Sequence, residues 1–166
     1  FNHISRCLHT GVQLPMDYHL LTEVYQAWLY FGMPSVTLFS GCRQKPYASS
    51  KSRHNFGLAL DFNFDGVPRR EVISYFLQRR ERVAHGMGVG YYPNSFHVHV
   101  DVRDKHAFWV DLQAGGEKGS MTVADPMRWF LQEPSQRRQA EQSPERKPDS
   151  SPATAENTEA GGENGP

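Results

Sequence analysis

Two runs of the chain alternate apolar and polar side chains with a period of two residues, and no other feature limits its fold as strongly. In Leu58–Phe64, leucine and phenylalanine alternate with Ala59, Asp61 and Asn63. In Phe96–Arg103, phenylalanine and valine alternate with His97, His99, Asp101 and Arg103. Each run predicts a strand with one apolar and one polar face, because neighbouring side chains of a strand point to opposite faces. Antiparallel pairing of the two strands would bring Asp61 and the histidines together, while the apolar faces build the core.

The polar positions belong to two short motifs. Residues 52–61 read S-x-H-x-x-G-x-A-x-D, and residues 97–101 read H-x-H-x-D. A single histidine in a strand is more often structural, but four polar groups at period two, facing a carboxylate strand, favour metal binding. His54, Asp61 and one histidine of the second motif would supply three zinc ligands and leave the fourth tetrahedral position for water. The motifs therefore predict one Zn²⁺ per chain, in a catalytic rather than a structural site.

The motifs and their surroundings resemble the LAS-type zinc peptidases, a superfamily that includes lysostaphin, the D-Ala-D-Ala metallopeptidases and hedgehog. Within it, the chain is similar to the murein endopeptidase K branch. Besides the two motifs, the similarity rests on Ser40–Arg43, Phe64–Val67 and Gly88–Pro93, and upstream on Asn2-His3, Arg6, Thr10-Gly11 and Pro15–Asp17. It covers roughly residues 1–109. The resemblance implies a zinc metallopeptidase, most like an endopeptidase that hydrolyses D,D or L,D cross-links between peptidoglycan stem peptides.

The resemblance also implies a role for each site residue. The metal ligands would be His54, Asp61 and His99. His97 would act as general base, stabilise the oxyanion or only orient the site, because an imidazole titrates near neutral pH. Arg43 would contact the substrate or the developing oxyanion through its permanent charge. The alternative for Arg43 is a structural ion pair with Asp101 or Asp65.

The remaining site predictions concern a serine, an aspartate and the two cysteines. Ser52 would lie near the substrate, and Asp101 would accept a hydrogen bond that fixes a histidine tautomer. Cys7 and Cys42 stand where the related branch has Asp and Tyr, and neither belongs to a C-x-x-C pattern. A disulfide between them would tie the N-terminal helix to the Arg43 turn and would require an oxidising compartment. Two buried free thiols are the alternative.

The expected fold class is α+β: a small antiparallel sheet that carries the zinc site on one face and is packed by helices on the other. The helical spacing of apolar residues predicts a helix over Asp17–Phe31, with Gly32 as its stop. Val36–Phe39 predicts a short strand that delivers Ser40–Arg43 to the site. Residues 44–56 would form a loop that walls the substrate groove.

Three further elements are predicted downstream of the first motif. A helix should begin at Pro68 and bury a stripe of Val72, Ile73, Phe76 and Leu77. The turn into the second metal-binding strand is expected at Gly86, Gly88 and Gly90. Asp125-Pro126 should begin a last short helix.

Composition divides the chain into a folded domain, residues 1–132, which the resemblance identifies as a zinc peptidase domain, and a tail, residues 133–166. From Pro134 onward the tail is rich in Pro, Ser, Gln, Glu and Gly and lacks aromatic residues, so we expect it to be disordered. Beyond Glu133 the tail carries four basic and six acidic residues, which leaves 14 basic and 12 acidic residues in the remainder. Because no basic stripe interleaves with aromatic residues, nucleic acid is not an expected partner.

No apolar run is long enough to span a bilayer, and no signal peptide is visible in a chain that begins with Phe1. Its first residues correspond to the middle of the related domain, so we expect an N-terminal part, and an export signal to the periplasm or cell envelope, to be missing. The oligomeric state is left open. The alternative functions are a non-catalytic zinc-stabilised binding domain and a D-Ala-D-Ala carboxypeptidase. Arg43, Ser52 and His97 favour the peptidase, because a structural zinc site needs none of them.

Overall fold

A six-stranded mixed sheet lies at the centre of the computed structural model, which describes residues 2–7, 9–44, 51–111, 120–125 and 127–128. The strands are β1 (Val36–Ser40), β2 (Ala59–Phe64), β3 (Gly86–Tyr91), β4 (Val98–Arg103), β5 (Ala107–Asp111) and β6 (Ser120–Thr122). Their order is β1-β2-β4-β3-β5-β6, and all neighbours run antiparallel except β3 and β5. The α+β class is confirmed. The sheet is mixed rather than purely antiparallel, because β5 returns along the outer edge of β3 in the same direction.

The two strands predicted from the alternation are β2 and β4, and they pair antiparallel as expected. Their register places Asp61 opposite His99 and Ala59 opposite Asp101. Leu60, Phe62 and Phe64 of β2 are buried in the hydrophobic core together with Val98 and Val100 of β4. The polar side chains at the alternate positions therefore share the opposite face of the sheet.

β4 begins at Val98, two residues later than the alternation predicts. The chain turns after β3, and the backbone N–H of Ser95 donates to the carbonyl of Tyr92 at 3.0 Å. This turn holds Phe96 and His97 outside the strand, and the Phe96 side chain is 64% exposed instead of facing the core. The prediction placed His97 within this strand, whereas the structure places it just before the strand begins.

Helices cover the apolar face of the sheet. The described helices are α1 (Asn2–Ser5), α2 (Tyr18–Tyr30) and α3 (Arg69–Arg80), with a single 3-10 turn at Arg53–Phe56. The Asp17 carboxylate caps α2 by accepting from two backbone N–H groups, at 2.8 and 3.1 Å, and Gly32 follows the helix with φ +78°. The predicted stripe of α3, which comprises Val72, Ile73, Phe76 and Leu77, is buried in the core. Within the described residues, no helix has the length and apolar character needed to cross a membrane.

The three glycines expected to form a turn lie inside β3 instead. They alternate along the strand, so all three occupy its polar-facing positions. A Cβ at Gly86 would meet the chain of residues 103–105 where it crosses from β4 to β5. A Cβ at Gly88 would lie 2.5 Å from the Asp101 carboxylate, and one at Gly90 would lie 2.7 Å from the Trp109 ring. Glycine is therefore needed at these positions because neighbouring groups pack directly against the strand, and not because the chain turns there.

Some predicted elements extend beyond the described residues. The Asp125 carboxylate accepts from the backbone N–H of Arg128 at 3.1 Å, as the cap of a last helix would. The rest of that helix, residues 45–50 of the predicted groove wall and the tail lie outside the described residues.

Candidate metal centre

Three buried side chains from three elements meet on the polar face of the sheet. Asp61 lies in β2, His99 lies opposite it in β4, and His54 comes from the 3-10 turn that precedes β2. His54 Nε2 lies 3.3 Å from His99 Nδ1 and 3.4 Å from Asp61 Oδ2, while His99 Nδ1 lies 2.7 Å from Asp61 Oδ1. This cluster can hold a metal ion.

The donor atoms of the cluster lie close enough together to hold a metal ion. Tetrahedral ligands at the usual zinc distances are about 3.3–3.6 Å from one another. The 3.3 Å between His54 Nε2 and His99 Nδ1 and the 3.4 Å between His54 Nε2 and Asp61 Oδ2 fall in that range. His99 Nδ1 contacts the other oxygen of Asp61, Oδ1, at 2.7 Å, a hydrogen-bond distance that a proton on Nδ1 explains. Replacing that proton by a metal ion needs only a small separation of these two atoms.

Hydrogen bonds on the far side of each imidazole fix which nitrogen faces the cluster. His54 Nδ1 lies 2.6 Å from the carbonyl of Gly41, which can only accept, so Nδ1 carries the proton and Nε2 presents a lone pair. His99 Nε2 lies 3.1 Å from Asp101 Oδ2, which likewise leaves Nδ1 to face the cluster. Once His99 Nδ1 has lost its proton, two imidazole lone pairs and a carboxylate converge, and such an arrangement can hold a metal ion.

Asp101 is held by an arginine on its own strand. Both Asp101 oxygens accept from the Arg103 guanidinium, and the Arg103 side chain also packs over the Trp109 ring, 5.1 Å from its centroid. Burial alone would raise the pKa of Asp101, but hydrogen bonds from Arg103 and His99 lower it, so the carboxylate stays charged. The structure thus places Asp101 where the predicted role of fixing the His99 tautomer requires it.

The carboxylates of Asp101 and Asp61 both raise the pKa of His99. Burial lowers the pKa of His99, but its hydrogen bonds to Asp101 and Asp61 outweigh burial and raise the pKa above its ordinary value of 6.5. Burial would also raise the pKa of Asp61, yet hydrogen bonds to His54 and His99 bring it far below its usual range. A cation at the centre, whether a proton or a metal ion, is therefore strongly favoured.

Arg43 pairs with a candidate metal ligand. Its Nη2 donates to Asp61 Oδ2 at 3.2 Å, and its backbone N–H donates to the carbonyl of His54 at 3.3 Å. The alternative partners considered from the sequence, Asp101 and Asp65, bind Arg103 and Thr37 instead. The Arg43 side chain is 38% exposed, and its buried Nε has no partner among the described residues. Arg43 therefore spans from the cluster to the surface and has donor capacity left for a ligand.

His97 lies beside the cluster without joining it. Its Nδ1 lies 2.8 Å from Ser95 Oγ, and its ring packs against Tyr92 and Phe39 at centroid distances of 4.8 and 5.6 Å. Burial lowers the pKa of His97, and the opposing attraction of the Asp61 charge does not overcome burial. The ring is thus a neutral imidazole near pH 7.

The structure also brings to the cluster Trp109, which the sequence did not single out, and Tyr92, for which the sequence allowed either groove lining or packing. The Trp109 ring lies 5.1 Å from the His99 ring, and its indole N–H donates to the Tyr92 hydroxyl at 3.2 Å. Gly90, opposite His99 and next to Trp109 in register, leaves the space that both rings fill. The signal for them was the alternation of glycines in residues 86–90, which marks a strand face overlaid by large side chains of its neighbours.

Ser52 precedes the 3-10 turn that carries His54. Its backbone carbonyl accepts from the N–H of Asn55 at 3.1 Å, while its side chain does not cap the turn. The hydroxyl of Ser52 therefore does not cap the start of this turn. Its predicted contact with substrate stays a prediction.

Cys7 and Cys42 are buried free thiols that approach the same backbone carbonyl. The N–H of Cys7 donates to the carbonyl of Val12 at 2.8 Å, and Cys42 Sγ lies 3.9 Å from that oxygen. Burial raises the pKa of the Cys7 thiol, but hydrogen bonds, first from the Thr10 hydroxyl and then from backbone N–H groups that include that of Gln44, lower it to about 7. A disulfide between these cysteines stays a prediction.

No family model, curated protein or solved structure matches the chain.

Proposed function

We propose that the chain is a zinc-dependent peptidase of peptidoglycan, most like an endopeptidase that hydrolyses D,D or L,D cross-links between stem peptides. The observation that carries this is the convergence of His54, Asp61 and His99, whose donor atoms lie within 4.8 Å of one another, beside two groups that are not metal ligands. Those groups are Arg43 and His97. The zinc assignment and the substrate class come from the resemblance of the two motifs to the LAS-type peptidases.

A zinc ion held by these three residues would supply a Lewis acid and a water whose pKa is about 7. The rest of the chemistry falls to the side chains around it. His97, neutral and with no described hydrogen bond at Nε2, would take the proton of the attacking water and return it to the leaving amine. Arg43 would fix a carboxylate or carbonyl oxygen of the stem peptide while its other nitrogen remains bound to Asp61.

The second candidate function is a zinc-stabilised binding domain without activity. The Arg43–Asp61 ion pair is compatible with this candidate, because an arginine that holds a metal ligand in place serves a structural site as well as a catalytic one. A D-Ala-D-Ala carboxypeptidase would use the same cluster and would differ in requiring a free carboxylate at the substrate terminus. A location in the cell envelope follows from the substrate and belongs to the same proposal.

The test combines metal analysis with digestion of purified peptidoglycan. The zinc-loaded chain should contain about one zinc per molecule and release fragments from cross-linked muropeptides, identified by mass. His99→Ala should lose both zinc and activity, whereas His19→Ala, at an exposed histidine of α2, should lose neither. Zinc binding without any released fragment would support the binding domain. Release of single D-alanine residues only would support the carboxypeptidase.

A further inference from the structure

The side chain of Tyr92 lies on the face of the sheet that carries the cluster. Tyr92 directly follows β3, and its ring is so close to Gly90 that a Cβ there would lie 2.9 Å from Tyr92 Cε2. Gly90 pairs with His99 across the β3–β4 ladder. The Tyr92 ring also packs against His97, 4.8 Å between centroids. It is thus wedged between the proposed base and the metal-binding strand.

The hydroxyl of Tyr92 is positioned by Trp109 and keeps its own hydrogen free. An indole N–H can only donate, so in the 3.2 Å contact the Tyr92 oxygen is the acceptor. No acceptor for the Tyr92 O–H is found among the described residues, where the Trp109 contact is the hydroxyl's single hydrogen bond. The half-buried Tyr92 hydroxyl therefore accepts a hydrogen bond that fixes its position, and its own hydrogen remains available to donate to an oxygen of a ligand.

The electrostatic surroundings keep this hydroxyl protonated. Burial, with smaller contributions from the charges of Asp61 and Asp111, raises the pKa of Tyr92 to about 12, although the bond from Trp109 and the charge of Arg43 act in the other direction. Tyr92 is therefore a neutral hydrogen-bond donor over the whole working range of a peptidase. The Trp109 ring that donates to this hydroxyl also lies 5.1 Å from the His99 ring, so the hydroxyl lies beside the candidate metal centre.

We infer that Tyr92 is a further catalytic residue, whose O–H donates a hydrogen bond to the oxyanion that develops on the scissile carbonyl, and that Trp109 is the positioning residue that holds it. The inference rests on the proposed peptidase function. As the attacking water adds to the carbonyl carbon, the π electron pair moves onto the oxygen, and Tyr92 binds that oxygen without losing its proton. His97 accepts the proton of the water and passes it to the amine as the carbon–nitrogen bond breaks. A preorganised donor aimed at such an oxyanion accelerates the reaction about 10²–10³-fold.

Tyr92→Phe tests this directly, because it removes the hydroxyl and keeps the ring that packs on His97. We expect the zinc-loaded variant to retain about one zinc per chain and a KM near that of the wild type, while kcat falls about a hundredfold. A readout independent of turnover is the binding of a phosphinic analogue of D-Ala-D-Ala, whose tetrahedral anionic oxygens mimic the oxyanion. By calorimetry its affinity should fall at least tenfold, while affinity for the planar peptide stays the same.

Two variants complete the experiment. Trp109→Phe keeps the aromatic contact with His99 but removes the indole N–H, so it should produce a smaller fall in kcat and in analogue affinity. Tyr75→Phe removes a hydroxyl from α3 on the opposite face of the sheet and should change neither.

The outcomes separate the inference from the proposed function. Wild-type protein that cleaves muropeptides, together with a Tyr92→Phe variant that matches it in kcat and analogue affinity, would overturn the role of Tyr92 and leave the peptidase standing. Loss of zinc from Tyr92→Phe would assign the tyrosine to site assembly and would also overturn the inference. Wild-type protein that binds zinc but neither cleaves muropeptides nor binds the analogue would overturn the peptidase function and the inference with it.

Discussion

Replacing Asp101 by asparagine tests how the metal centre is held together. Asp101 is completely buried and accepts hydrogen bonds from His99 on one side and from Arg103 on the other. The substitution keeps the shape of the side chain but leaves one accepting oxygen where there were two. If that oxygen faces His99, the amide NH₂ points at the Arg103 guanidinium; if the side chain flips, it points at His99 Nε2. Either way, two donors face each other in a buried site.

We expect the substitution mainly to weaken metal binding. Replacing a carboxylate that orients a metal-binding histidine costs about 10–100-fold in affinity, which corresponds to about 1.4–2.8 kcal/mol. One buried donor left without an acceptor costs about 1–3 kcal/mol, which agrees with that range. We therefore expect Asp101→Asn to remain folded when loaded with zinc and to bind zinc at least tenfold more weakly than the wild type.

The assay is a competition titration of the metal-free chain against a chromophoric zinc chelator, with circular dichroism as the measure of folding. Asp65→Asn is the matched control, because Asp65 is an exposed aspartate whose carboxylate accepts from Thr37 at 2.9 Å, outside the cluster. It should leave zinc affinity unchanged. A folded Asp101→Asn protein with wild-type zinc affinity would refute the argument that Asp101 fixes the His99 tautomer for metal binding.

Four other predictions concern the residues of the candidate site and the two cysteines. If Arg43 binds the oxyanion or the substrate, Arg43→Ala should keep zinc and lose about a hundredfold in turnover, as measured by muropeptide release. If His97 is the base, His97→Ala should lose a similar factor in the same assay. Unchanged activity in both variants would place the site elsewhere. Because the proton and the metal compete for His99, whose pKa is raised, zinc affinity should weaken as the pH falls through that raised pKa, which chelator titrations at a series of pH values will show. In the metal-free chain the same shift stabilises the fold fully below pH 6.5, and this contribution disappears as the pH rises through the raised pKa. If Cys7 and Cys42 form a disulfide, the oxidised protein should have no titratable thiol, and its melting temperature should fall on reduction. The Cα atoms of the two cysteines should then lie within about 7 Å of each other. Two titratable thiols in the oxidised protein would reject the disulfide.

Local patterns in the sequence were sufficient for the parts of the fold that depend on neighbouring residues in the chain. The period-two alternation determined β2 and most of β4, and the burial of alternate residues follows from the pleat of a strand. The cap at Asp17 and the glycine at position 32 set the limits of α2 to within one residue of the prediction. The motif residues His54, Asp61 and His99 meet because a register that buries both apolar faces also places Asp61 opposite His99.

Other features depended on residues far apart in the sequence. Glycine favours turns by its local conformational freedom, so the glycines of β3 predicted a turn. In the fold they are strand residues, and their missing side chains leave space for Asp101, Trp109 and the segment that connects β4 to β5. The partner of Arg43 and the departure of His97 from β4 depend on how loops approach the sheet, which a short pattern does not encode.

The tertiary structure decided the chemistry of those atoms whose partners lie far away in the sequence. Asp101 selects the His99 nitrogen that faces the cluster from two residues along the same strand, as predicted, whereas the carbonyl that selects the His54 nitrogen belongs to Gly41, 13 residues earlier in the chain. Trp109 reaches Tyr92 because β5 lies beside β3, a parallel neighbour that no hairpin signal predicts. Residue spacing therefore predicts the ligand set, whereas the tautomer of His54 and the donor direction of Tyr92 arise from contacts between residues far apart in the sequence.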